Sequence, residues 1–156
     1  MAIQEIATIS FDRQNVISCN TQGISDGFIK LLIKGELDGQ GRDSRLLLRL
    51  NGANSSYRSF VHMGGDYGAG EWDETGFYVG RSGWHLDATF SAEYIIAVNS
   101  RAHKITGSGS SIFGHGDNRI LGYESHGHIA MNGGISKIDV ILTGGVATGE
   151  VRCYLM

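Results

Sequence analysis

The stretch "GGDYGAGEWDETG", Gly64 to Gly76, brings together residue types that suit ligand binding. Four carboxylates surround two aromatic side chains: Asp66, Glu71, Asp73 and Glu74 with Tyr67 and Trp72. Carboxylate oxygens suit a hard cation such as calcium, although the spacing does not match an EF-hand loop. An aromatic ring beside carboxylates also suits a sugar, because the ring stacks on the sugar and the acids accept its hydroxyls. The third interpretation is a solvated loop that Trp72 anchors. We take Tyr67, Trp72 and Asp73 as candidate contacts with a partner or a glycan.

The segment "HGH" places His126 and His128 two residues apart, so on a strand both imidazoles share one face. Such a pair suits a metal, but no carboxylate follows in "IAMNGG". Other ligands would have to come from Glu124, His115 or Asp117. We therefore expect no metal site and keep His126 and His128 as the candidates for one. Histidines exposed on a strand, or a site on the symmetry axis of an oligomer, fit the same pattern.

The segment "GISDG", Gly23 to Gly27, matches the G-x-S-x-G pattern of a nucleophile elbow. That elbow lies between a strand and a helix, whereas the strand-like "FIKLLIK" follows here. A polar turn before a strand explains the match better. We expect no catalytic residue, no enzymatic activity and no cofactor.

The chain has 156 residues, which predicts one domain, 1–156, with a sizeable core. The net charge is −3, and no basic stripe indicates a nucleic-acid partner. No apolar run is long enough to span a membrane, and "MAIQEIATISF" does not resemble a signal peptide, so we expect synthesis in a cytoplasm. Cys19 and Cys153 are interpreted as reduced core thiols, with a disulfide between them left open.

Short apolar runs separated by turn residues predict an all-β chain, and the 24 glycines and absence of proline fit many tight turns. Two segments alternate most clearly, and alternation buries one face of a strand. The buried faces are predicted to hold Ile29, Leu31 and Ile33 in "FIKLLIK", and Ile138, Val140 and Leu142 in "SKIDVILTG". The predicted fold is a single-domain antiparallel β-sandwich, jelly-roll-like. The strand prediction leaves Gly64 to Gly76 as a long loop and divides residues 118–132 into two strands.

The stretch "SRLLLRLNGANSSYRSFVHM", Ser44 to Met63, predicts a hairpin that turns at Asn51-Gly52, since both residues tolerate positive φ. Leu46, Leu48 and Leu50 share one parity and are predicted to face the core. Arg45 and Arg49 share the other, so we expect them to remain outside, available to a neighbouring subunit.

The residues "FIKLLIKGEL" and "RDSRLLLRLNGANSSYRSF" resemble those of a family of small virion proteins of tailed bacteriophages. The most specific part is Arg45 to Tyr57, where Leu48-Arg49-Leu50-Asn51-Gly52 is followed by Ser55, Ser56 and Tyr57. The closing segment "ISKIDVILTGGVATGEVRCYLM" also fits the strand plan of that family.

The resemblance implies a virion structural protein made in the host cytoplasm. We expect a capsid decoration or cement protein that acts by surface complementarity and contacts the major capsid protein or other virion proteins. We also expect a homo-oligomer, and a trimer would fit the threefold positions of capsids. The alternative is a receptor-binding module of the tail that contacts host glycans through Tyr67 and Trp72.

Overall fold

The computed structural model describes residues 3–84, 87–99, 101 and 103–156. These residues form twelve β-strands, and no helix among them is long and apolar enough to cross a membrane. The strands are β1 (Gln4–Gln14), β2 (Val16–Ile24), β3 (Gly27–Asp38), β4 (Arg45–Leu50), β5 (Tyr57–Gly65), β6 (Ala69–Asp73), β7 (Phe77–Arg81), β8 (Ala88–Val98), β9 (Lys104–His115), β10 (Ile120–Ala130), β11 (Ile135–Leu142) and β12 (Val146–Leu155).

The strands form two antiparallel sheets that pack face to face as a β-sandwich, which confirms the predicted fold class. The large sheet has eight strands in the order β1-β12-β3-β8-β9-β10-β5-β6. The small sheet has four, in the order β2-β11-β4-β7. The first and last strands pair at one edge of the large sheet, where Gln4 of β1 is opposite Leu155 of β12. Strand β6 forms the opposite edge.

Alternation correctly predicted the core. Leu46, Leu48 and Leu50 are fully buried. At most 3% of each of Ile138, Val140 and Leu142 is exposed. The two sets belong to neighbouring strands, since Leu50 pairs with Ile138 and Leu48 with Val140. In the large sheet, Ile29, Leu31 and Ile33 of β3 are also buried. The faces of both sheets that carry these residues meet and exclude water.

The predicted hairpin between β4 and β5 is wrong, because these strands belong to different sheets. The Asn51-Gly52 turn itself forms, with φ of 52° and 75° at the two residues. It turns the chain at the end of β4, from where the chain crosses to the large sheet. The Asn51 side chain binds the start of β11 and the residue before it: Oδ1 accepts from the Ser136 N–H at 2.8 Å, and Nδ2 donates to the Gly134 carbonyl at 3.0 Å.

Tyr57 fixes the far end of this crossing. Its buried hydroxyl accepts a hydrogen bond from the Leu50 N–H and donates one to the Ala53 carbonyl, each at 2.9 Å. A tyrosine that bonds to the backbone a few residues upstream is a known device at the corners of β-sandwiches. The segment from Leu50 to Tyr57 therefore has a direct role in folding.

Strand β7 lies against the inner face of the large sheet, and serine hydroxyls bind its backbone. The Ser59 hydroxyl accepts from the Tyr78 N–H at 2.8 Å, the Ser125 hydroxyl donates to the Tyr78 carbonyl, and the Ser111 hydroxyl donates to the Val79 carbonyl at 2.8 Å. All three serines are buried. They satisfy backbone groups that the pairing of β7 with β4 leaves free.

Glycines make this close approach feasible. A Cβ at Gly127 of β10 would lie 2.9 Å from the Phe77 ring of β7, and one at Gly80 would collide with the Ser111 hydroxyl. A Cβ at Gly107 or Gly109 of β9 would collide with Tyr94. These positions therefore need glycine because of space, not because of a positive φ.

Two further strand predictions need correction. Gly64 to Gly76 is not a long loop, because β6 lies inside it and pairs with β5, with Phe60 opposite Trp72. Residues 118–132 do not hold two strands, because β10 runs unbroken through Gly127. Gly127 occupies an inner-face position of β10. Because glycine has no apolar side chain, the sequence pattern of a continuous strand is interrupted there.

Cys19 and Cys153 are free and buried. Burial raises the pKa of the Cys19 thiol to about 11, with a further contribution from Asp139, and raises the pKa of Cys153 to about 12. Both thiols are therefore protonated at neutral pH and unreactive. This agrees with the interpretation of reduced core thiols.

Tyr57→Phe should lower the free energy of unfolding by about 1–3 kcal/mol, because the Leu50 N–H and Ala53 carbonyl would lose their buried partner. Tyr67→Phe is the matched control, since that side chain is exposed and should tolerate the change. Urea denaturation of both variants measures the difference. Equal stability of the Tyr57→Phe variant and the wild type would contradict the structural role of this hydroxyl.

Candidate functional site

The outer face of the large sheet carries a cluster of rings near the β6 edge. Trp72 of β6, Phe60 of β5 and His126 of β10 stand opposite one another in register on three neighbouring strands. We call the cluster the aromatic patch and define it as Arg58, Phe60, His62, Trp72, Glu124 and His126. Strand parity explains its position, since Tyr57, Ser59, Val61 and Met63 of β5 point into the core.

The rings of the aromatic patch pack around Phe60. The centre of its ring lies 5.0 Å from that of Trp72 and 5.4 Å from those of His62 and His126. Phe60 is half-buried, whereas 57% of Trp72 is exposed. The half-buried ring thus supports the exposed indole, which has area left for contact with a ligand.

Polar groups border the rings of the aromatic patch. The Arg58 guanidinium lies 4.8 Å from the centre of the Trp72 ring in a cation–π contact. Glu124 is exposed and stands opposite His62 in the pairing of β10 with β5. The guanidinium donates hydrogen bonds and the carboxylate accepts them. The aromatic patch can therefore stack on a flat apolar surface and bind hydroxyl groups at its border.

His126 and His128 share the outer face of β10, as the sequence predicted for a strand. His126 is exposed and packs against Phe60, and His128 is half-buried opposite Arg58. Within residues 3–84, 87–99, 101 and 103–156, no three His, Cys, Asp or Glu side chains are placed to hold a metal ion. His115 is buried elsewhere, with its Nε2 2.5 Å from the Ser82 carbonyl.

Tyr67 does not contribute to the aromatic patch. It lies in the turn between β5 and β6, where 52% of it is exposed. It borders a small cleft of about 190 Å³ together with Met63, Trp84 and Leu121. The sequence placed Tyr67 and Trp72 in one loop, but the structure separates them by strand formation.

Arg45 and Asp73 bind each other instead of pointing to solvent. The Arg45 Nη1 donates to the Asp73 Oδ2 at 2.7 Å, and its guanidinium lies 4.7 Å from the centre of the Tyr78 ring. The Glu71 carboxylate, also on β6, accepts from the Tyr78 hydroxyl at 2.6 Å and from Arg81 Nη1 at 2.5 Å. Arg45 is therefore bonded to a network within the fold, and its contact with a neighbouring subunit stays a prediction.

Arg49 also bonds within the chain. Its Nε donates to the Thr75 carbonyl at 2.7 Å, just beyond the end of β6, and the side chain is half-buried. Together the two arginines of β4 hold β6 and the following turn against the small sheet. Their effect on the aromatic patch is indirect, because they fix the strand that carries Trp72.

The electrostatics of this network favour its charged form. Burial acts to raise the pKa of Asp73, but the hydrogen bonds from Thr75 and Arg45 outweigh it and hold that pKa below its usual value. Burial and the hydrogen bond to Glu71 raise the pKa of Tyr78, so its hydroxyl remains a donor.

The sequence reasoning missed three members of the aromatic patch, Arg58, Phe60 and His62, and considered Glu124 only as a metal ligand. A usable signal was present in "YRSFVHM", where Arg58, Phe60 and His62 occupy the parity opposite to the core residues. The pairing of β5 with β6 and β10 was not readable, because β10 lies more than fifty residues further along the chain.

Asp73→Asn should lower the free energy of unfolding at neutral pH by about 1–3 kcal/mol, because a charge-assisted hydrogen bond is weakened. Since the folded-state pKa of Asp73 lies below its usual value of 3.8, its stabilisation is present at neutral pH and is lost as pH falls through that lowered pKa. The wild type should therefore lose its advantage over the variant below about pH 4. Denaturant titrations across acidic pH measure this, with exposed Glu74→Gln as the control. A constant difference between wild type and variant at every pH would contradict it.

No family model matches the chain, and no curated protein matches it. Solved structures with similarity include the galectin LEC-6 of Caenorhabditis elegans, at 10% identity over 94% of each chain and a TM-score of 0.43. Another is toad ovary galectin in complex with thio-digalactose, at 9% identity over 90% of this chain and 98% of that chain, with a TM-score of 0.35. A third is the CBM40 of the Ruminococcus gnavus IT-sialidase bound to α2,6-sialyllactose, at 8% identity over 96% of this chain and 92% of that chain, with a TM-score of 0.35. At these identities and TM-scores the similarities identify no family for this chain.

Proposed function

We propose that this protein is a carbohydrate-binding protein and that the aromatic patch is its contact surface. The observation that carries the proposal is the indole of Trp72, which is 57% exposed although it is supported by Phe60. Covering this apolar area with a ligand removes it from water, which is favourable. The apolar face of a sugar ring is a ligand of the right shape for stacking.

The border of the aromatic patch supplies the polar half of sugar recognition. Sugar hydroxyls both donate and accept hydrogen bonds, and Arg58 and Glu124 provide a donor and an acceptor on either side of Phe60. Both side chains are exposed. A sugar stacked on Trp72 can therefore accept hydrogen bonds from Arg58 beside the ring, and Glu124 offers an acceptor two strands further along the same face.

Trp72 lies on a regular β-strand, and this favours a preformed site. Trp72 lies between Glu71 and Asp73, whose carboxylates bind arginines of the small sheet. The indole therefore projects from a strand held on its other face. A preformed site loses less conformational entropy on binding than a mobile loop.

Trp72→Ala should weaken glycan binding by about 2 kcal/mol or more, because the stacking surface is removed. The measurement is a titration of the purified protein with the neutral and acidic glycans that it retains on an array. Trp72→Phe should keep part of the affinity, since it preserves a ring. Tyr67→Ala is the matched control, because that exposed ring lies outside the aromatic patch.

Two results would contradict the proposal. The first is that the folded wild type binds no glycan on the array. The second is that Trp72→Ala, with an unchanged melting temperature, binds as tightly as the wild type.

The sequence resemblance supports a second candidate, a virion structural protein. It would be a capsid decoration or cement protein, or a receptor-binding module of the tail, and the tail role would use the same glycan-binding surface. Both roles fit an oligomer with capsid or tail proteins as partners. The support lies in the segments from Phe28 and from Arg45 that resemble virion proteins of tailed phages.

Location in particles tests this second candidate. In purified virions of a phage that encodes this chain, labelled antibody and quantitative mass spectrometry should find it on the capsid or the tail. A copy number equal to the capsid lattice points supports decoration, and a low copy number at the tail tip supports receptor binding. Absence from purified particles would contradict both roles.

A further inference from the structure

The outer face of the large sheet also contains a groove that extends away from the aromatic patch. The groove has a volume of about 650 Å³ and crosses β12, β3, β8 and β9. Its lining includes Leu32, Lys34, Ser91, Ser110, Ile112 and Arg152. We call it the central groove. None of these residues belongs to the aromatic patch.

Side-chain size gives the central groove its depth. Ser91 and Ser110 are small and exposed in the middle of the sheet. On one side the longer Lys34 and Arg152 rise from β3 and β12. On the other side Glu124 of the aromatic patch follows directly, since it stands opposite Ser110 in the pairing of β10 with β9. The central groove and the aromatic patch are therefore adjacent parts of one surface.

Charges in the central groove are matched. The Lys30 Nζ lies 3.1 Å from the Glu93 carboxylate, and the Lys34 Nζ lies 3.9 Å from the Glu150 carboxylate. Arg152 also pairs with Glu150. The lining itself holds two cations, Lys34 and Arg152, and two carboxylates, Glu93 and Glu150, so an ionic ligand would find little unbalanced charge there. Paired ions do present both donors and acceptors, as hydroxyl groups require.

The floor of the central groove is partly apolar. Ile112 is 44% exposed, and Leu32 is half-buried on the neighbouring part of the face. An apolar floor between polar walls suits a ligand whose rings have apolar faces and polar edges. That description fits a sugar unit better than it fits an ion or a peptide.

The distance between the two regions determines the length of the ligand. Trp72 lies on β6 and Ser110 on β9, three strand spacings away, which corresponds to about 14 Å. A single sugar stacked on Trp72 cannot reach that far. Only a chain of several sugar units can occupy both the aromatic patch and the central groove.

We propose that the ligand is an uncharged oligosaccharide chain that binds across the sheet, from the aromatic patch into the central groove. This inference rests on the proposed carbohydrate-binding function and adds the class and length of the carbohydrate. Additional subsites in the central groove contribute affinity only when the chain is long enough to enter them.

The test is a length series. Oligosaccharides of glucose, galactose or N-acetylglucosamine, each from disaccharide to hexasaccharide, are titrated against the wild type at low and high salt. For the sugar that binds, the hexasaccharide should bind at least about tenfold more tightly than the disaccharide. The affinity should not change with salt, because an uncharged ligand gains little from screened Coulomb attraction.

Ser110→Tyr fills the central groove at an exposed strand position where tyrosine is favourable. This variant should bind the disaccharide as the wild type does but lose the tenfold gain of the hexasaccharide. Ser91→Tyr, on the neighbouring strand, should behave in the same way. Agreement of the two variants shows that the effect comes from filling the central groove and not from a local distortion at one position. Lys137→Tyr, an exposed change on the outer face of the small sheet, is the matched control and should keep the full gain.

The outcomes separate this inference from the function on which it rests. Equal affinity of the wild type for disaccharide and hexasaccharide would overturn the extended site and leave carbohydrate binding intact. A full gain in both Ser110→Tyr and Ser91→Tyr would overturn the role of the central groove. Tighter binding of acidic glycans than of the uncharged series, with a steep loss of their affinity at high salt, would overturn the uncharged class. Binding of no sugar at all would overturn the proposed function together with the inference.

Discussion

The close contact of β7 with the large sheet is the constraint on which the rest of the sandwich depends. One side of β7 pairs with β4, and its other backbone groups face the interior, where water cannot reach them. Buried backbone groups without partners would each cost more than a kilocalorie per mole. Ser59, Ser111 and Ser125 bind them from three neighbouring strands of the large sheet. Their positions, together with Gly127, leave the space that β7 needs.

This contact also determines which side chains the two faces of the large sheet carry. Its inner face is small at Ser59, Ser125 and Gly127, where β7 approaches, and the neighbouring Phe60 and His126 turn to the outer face. Strand β6 follows the same parity, with Glu71 and Asp73 turned towards arginines and Trp72 turned away. The aromatic patch thus consists of residues whose strand parity turns them away from β7.

The sequence predicted the fold well where burial alone decides the pattern, as in β3, β4 and β11. It failed where the partner of a strand is distant in the chain. The segment Leu50 to Tyr57 has the same local pattern in a hairpin and in a crossing between sheets, and only the bonds of Asn51 and Tyr57 distinguish them. Strand β6 was missed because its inner contacts are ionic and not apolar. Trp72 could be selected by its residue type, but its neighbour Phe60 could be assigned only from the pairing of β5 with β6.

The positions of the chain ends have a practical meaning for orientation. Gln4 and Leu155 lie at the edge of the large sheet formed by β1 and β12, and Trp72 lies at the opposite edge. A tether at either end therefore presents the ring-bearing edge outward, away from the support. Immobilised copies would all expose that edge in parallel, so many weak contacts could act together on a repetitive surface and produce avidity that one copy lacks.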